Sequence, residues 1–132
     1  MSDASKLKNL VLREMRDIYY GDRTNIMDWM GFPIDDENIP SYHHLTKSMD
    51  LKESGEDYYA TVSNGAYLGK KSHDLLHKLE HIDPEMYELW RSLFYTINHH
   101  HDYPTPEMWE LINLYKEATL NILNENNIKK QR

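Results

Sequence analysis

Two adjacent histidines, His43 and His44, stand in the stretch PSYHHLTK at residues 40–47, and two more, His73 and His77, lie four residues apart in KKSHDLLH. Imidazole changes charge near neutral pH and is a common nitrogen ligand for metals, so these side chains can move protons or hold an ion. At i and i+4 of a helix, His73 and His77 share one face and can converge on a single ion. Spacing alone is weak support: with 8 histidines in 132 residues, chance supplies about half a His pair at any chosen offset. Taken singly, the first pair reads equally as a polar strand end and the second as a solvated helix face. The combination with Asn64, nine residues before His73, is harder to obtain by accident.

The elements that must position these residues follow from periodicity. PSYHHLT is β-prone, KSMDLKESGED (47–57) is a polar loop, YYATV or AYLG can form a second strand, and KKSHDLLHKLEH restores helical spacing. The order is strand, loop, strand, helix. On the N-terminal side, Leu7, Leu10, Val11, Met15 and Ile18 mark an amphipathic helix over 4–20 that Gly21 ends. A connector follows to Pro40, with Trp29, Met30, Phe32 and Ile34 as anchors. On the C-terminal side, Asp83 caps and Pro84 opens a helix with Met86, Leu89, Trp90, Leu93, Phe94 and Ile97 on its apolar face. Thr105 and Pro106 repeat the device, with Met108, Leu111, Ile112, Tyr115 and Ile122 facing inward. We read a single domain, 1–132, made of an N-terminal helix and connector (1–39), a central αβ unit (40–81), a helical part (82–126) and a frayed polar tail (127–132).

HH, a loop and then NGAYLGKKSHDLLH together resemble the ββα-metal core of HNH endonucleases, with intervals from Asn to His and from His to His similar to those of colicin DNases. The resemblance covers residues 40–80 and leaves the flanking helices unexplained; the Cys-x-x-Cys pairs of many HNH domains are missing. It implies an α+β fold in which two strands and a metal-bearing helix are flanked by about three amphipathic helices. It further implies that His43, His73 and His77 ligate one divalent ion (Mg²⁺, Mn²⁺, Ni²⁺ or Zn²⁺) and that His44 is the general base. Asn64 would tie the loop to the strand and hold the base, with Gly65 allowing a tight turn beside it. Three neutral imidazoles leave an ion its full charge and open positions, which suits phosphodiester hydrolysis. Consecutive strand side chains point to opposite faces, so His43 and His44 can flank one phosphate only at a strand end, twist or bulge.

Lys70 and Lys71 at the helix start, with Lys47, offer a phosphate patch, although ordinary solvated surface explains them as well. The implied partner is double-stranded DNA, and the implied setting a phage or mobile element. A net charge of −7 argues against nonspecific coating of DNA and leaves a second reading open: an HNH-like protein that acts by binding a protein partner, as an inhibitor or adaptor. A helical protein with a closed structural zinc site is a third.

His81 extends the His73–His77 row by a turn that one ion cannot easily reach. His99, His100, His101 and Asp102 fall at a helix end, where imidazoles complement the dipole, and are expected to terminate the helix. The lack of cysteine removes disulfides and thiolate chemistry. No apolar run approaches the roughly 18 residues of a membrane helix, and the first residues do not read as a signal peptide, so a cytoplasmic protein is expected.

Overall fold

The computed structural model describes residues 3–46 and 60–130. Helix α1 (Asp3–Tyr20) buries Val11, Leu12, Met15, Tyr19 and Tyr20, with Leu7 and Ile18 packed at the margin. Leu10, expected inward, is exposed because at 100° per residue it sits about 100° beyond Val11, one edge of the buried arc. Gly21 then leaves the helix at φ +58°, a conformation that glycine reaches at no steric cost.

The connector buries Trp29 and Met30 completely, as their anchoring role requires, and with them the carboxylate of Asp28. One Asp28 oxygen accepts the N–H groups of Met30 and Phe32, both at 3.0 Å, and the other accepts that of Gly69 at 2.8 Å. Burial raises the Asp28 pKa above the usual carboxylate value, and these backbone donors oppose the shift. The Asp28 carboxyl is thus held by backbone donors under the start of the next helix.

Strand β1 (Pro40–His44) pairs antiparallel with β2 (Gly65–Gly69), with His43 opposite Ala66 and His44 opposite Gly65. A 3₁₀ turn at Val62–Asn64 leads into β2, and helix α2 (Lys70–Ile82) leaves it directly. The second strand is therefore the AYLG alternative. The polar loop expected at 47–57, and Lys47 with it, lies outside the described residues. Gly65 is extended (φ −115°, ψ 152°) rather than a tight turn; a side chain there would collide with the Tyr42 ring. At Gly69 a side chain would collide with the amide of Asn38, which caps α2 by accepting the Lys71 N–H at 2.8 Å.

Asp83 caps α3 (Pro84–His100) through the Met86 N–H at 3.1 Å, with Pro84 at the first turn. Thr105 caps α4 (Pro106–Lys130) through the Met108 N–H at 3.2 Å. Both caps stand where the sequence put them. Helix α4 continues to Lys130, beyond the frayed tail expected from 127, with Lys129 and Lys130 in its last turn, where cations complement the dipole. Leu89 and Leu111, expected inward, are exposed; Thr119 is buried instead and accepts the Trp90 indole N–H at 2.8 Å. The sheet packs against α1, α2 and α3, and α4 packs on α2 and α3. Among the described residues the fold is thus α+β, with four helices around a two-stranded antiparallel sheet, and none of these helices is long and apolar enough to cross a membrane.

Candidate metal centre

Strand alternation divides β1 into two faces. Ser41 and His43 face α2, where the His43 ring meets those of His73 and His77 at centroid distances of 5.1 and 5.9 Å. Tyr42 and His44 occupy the other face, ring edge against ring face at 4.7 Å. The pair does lie at a strand end: β1 stops at His44.

His43, His73 and His77 each offer a ring nitrogen within 4.8 Å of the others, the one such group of three among the described residues. Nδ1 of His43 lies 3.3 Å from Nε2 of His73. Two ligands about 2.0–2.1 Å from a tetrahedral ion are separated by about 3.4 Å, so this edge already has the dimension that a shared ion needs. The other face of the His73 ring is engaged: Nδ1 is 2.9 Å from the Ser41 hydroxyl, which fixes the ring with Nε2 toward His43. His43 is buried, and its Nε2 has no hydrogen-bond partner.

Electrostatics keep His43 and His73 unprotonated. Burial, and then the neighbouring His73, His77, His44 and Arg91, push the pKa of His43 down to about 3. Burial and then His77 lower that of His73 to about 4, against an opposing pull from Asp74. Neutral imidazoles are the ligating form. The residues therefore fit a divalent ion: three ring nitrogens converge, the two on His43 and His73 already stand at the spacing of shared ligands, and the exposed His77 leaves one side open.

His44 is half-buried, and burial followed by the Lys8 ammonium lowers its pKa, so it is neutral at neutral pH. The backbone just after it is held from two elements, the 3₁₀ turn and α3. Asn64 accepts the Thr46 N–H at 2.9 Å and donates to the Thr46 carbonyl at 3.2 Å, while its own carbonyl accepts the Leu45 N–H at 2.9 Å. Arg91 donates to the Leu45 carbonyl at 2.9 Å, and the Thr46 hydroxyl is 2.8 Å from that of Tyr95. The 3₁₀ turn carrying Asn64 is tied in turn to α3, because the Asn98 amide donates to the carbonyls of Val62 and Gly65, each at 2.7 Å.

The expected phosphate patch is assembled differently. The backbone N–H groups of Lys70 and Lys71 are taken by the Ile39 carbonyl and the Asn38 side chain, so those two donors do not face an anion. The Lys71 ammonium is 3.6 Å from the Glu37 carboxylate. Lys70, at i−3 from His73 and i−7 from His77, shares their stripe on α2 and is exposed. Sequence reasoning missed Ser41, Arg91, Tyr95 and Asn98; no motif signals them, since each acts on a partner distant in the chain.

Compared with protein-family models, with curated proteins and with solved structures, the chain finds no match.

Proposed function

We propose that the protein is a metal-dependent endonuclease of the HNH type, hydrolysing phosphodiester bonds of double-stranded DNA. The observation that carries this reading is the convergence of His43, His73 and His77 beside a neutral histidine whose strand end is strapped by Asn64. The two strands and α2 would form the ββα-metal core, with His43, His73 and His77 holding one divalent ion. When bound, such an ion supplies positive charge to a phosphate oxygen and to the departing 3′ oxygen.

The protein's own groups account for the rest. His44 takes a proton from the attacking water as its oxygen bonds to phosphorus and the P–O3′ bond breaks; the departing O3′ takes a proton from solvent, giving a 5′-phosphate and a 3′-hydroxyl. Asn64, Arg91 and Tyr95 fix the backbone around His44, so the base does not have to be ordered during the reaction. Lys70, on the ligand stripe, and Lys8, close enough to act on His44 and His73, provide local positive charge for the DNA backbone in a chain of net charge −7.

That net charge favours the second reading, a protein with the same core that acts by binding a basic protein partner. The exposure of His77 speaks against a closed structural zinc site. Plasmid DNA incubated with the protein and Mg²⁺, Mn²⁺, Ni²⁺ or Zn²⁺ separates the readings. Nicking or linearisation that disappears in His44→Ala supports the nuclease; metal binding without cleavage under any of the four ions overturns it.

A further inference from the structure

Of the three clustered histidines, His77 is the exposed one, with 54% of its side chain open to solvent. It lacks the burial that fixes His43 and the hydroxyl that fixes His73. An imidazole this free loses rotational entropy on ligation and presents either nitrogen, unless something nearby selects one. Three residues on, Glu80 places a carboxylate oxygen 3.8 Å from Nδ1 of His77. That is ion-pair rather than hydrogen-bond distance.

Glu80 is not an ordinary surface glutamate. Its side chain is 23% exposed, and it is hydrogen-bonded by the Tyr87 hydroxyl from α3. Tyr87 is itself buried, and burial together with the Glu80 charge pushes its pKa up to about 12, so it remains a donor. Tyr87, Glu80 and His77 thus form a chain from the core to the rim of the cluster.

We propose that Glu80, held by Tyr87, is a positioning residue for the metal centre. It accepts the Nδ1 proton of His77, which selects the tautomer with its Nε2 lone pair toward His43 and His73 and makes that nitrogen a better ligand. Ser41 does the same for His73 from the strand side. The inference rests on the three-histidine site proposed above, and the two fail differently.

The test titrates Zn²⁺ into the full-length protein by calorimetry and reads the His77 tautomer by two-bond ¹H–¹⁵N NMR, for wild type, Glu80→Gln and Tyr87→Phe. Glu80→Gln is expected to lower Zn²⁺ affinity about 10–100-fold, to shift His77 away from the Nδ1-protonated tautomer, and to leave the His73 ring signals in place. Tyr87→Phe is expected to act in the same direction but less. If wild type binds Zn²⁺ and Glu80→Gln binds it equally well, the positioning role is overturned and the site stands. Weaker binding with an unchanged His77 tautomer and a lowered melting temperature also overturns it, since the glutamate would then be structural. If wild type binds no Zn²⁺, both readings fall.

Discussion

The protein contains two histidine-rich regions that look alike in sequence and differ in three dimensions. His43, His73 and His77 come from a strand and a helix and converge within 4.8 Å, with His73 held from the strand by Ser41. His99, His100 and His101 are consecutive, exposed and splayed around the end of α3. His101 adopts φ +55° as the helix stop, and the His99 ring lies 6.3 Å from that of Tyr95. Density of a residue type does not make a site; convergence from separate elements does, because each element restricts its own side chain before any ligand arrives.

The sharpest way to break that contrast is to remove the base. His44→Ala is expected to lower cleavage by about 10²–10⁴-fold, the range of general-base catalysis, with Zn²⁺ affinity little changed. A parallel loss of metal binding would place His44 among the ligands instead. Next, His73→Ala is expected to weaken metal binding by more than the roughly 100-fold that losing a ligand's supporting group can cost, whereas His99→Ala leaves it unchanged. Equal effects, read by calorimetry, would erase the distinction between the two regions.

Asn64→Ala leaves the Thr46 N–H and carbonyl without their partner. It should cost about 1–3 kcal/mol in denaturant unfolding and slow cleavage through a loosened His44. A smaller effect belongs to pH. His43 and His73 titrate near 3 and 4 in the folded state and near 6.5 when unfolded. Between those values the unfolded chain binds more protons, so stability falls as pH drops from about 6.5 toward 4. Melting temperature of the metal-free protein should decline over that window, and less steeply in His43→Phe. A pH-independent melting temperature would contradict the buried, neutral cluster.

What the sequence made legible was local. The caps at Asp83–Pro84 and Thr105–Pro106 and the helix of KKSHDLLHKLEH depend on neighbours within a few positions, and all are where periodicity and capping chemistry put them. His73 and His77 could be nominated because their spacing matches one helix face; His43 joined them only through the resemblance to HNH cores. The supporting residues could not. Ser41 meets His73 across 32 positions, Arg91 meets Leu45 across 46, and Asp28 meets Gly69 across 41. Such pairings are set by tertiary packing and leave no local pattern. Leu10, Leu89 and Leu111 erred the other way: each fits an apolar stripe, yet the buried arc of its helix is narrower than the stripe.

The central claim is that one ion sits between β1 and α2. Anomalous diffraction from crystals soaked in Mn²⁺ or Zn²⁺ tests it directly. The account predicts a single strong peak bonded to His43, His73 and His77, with none at His99–His101; a peak only at the α3 terminus, or none at the triad under either metal, would contradict it.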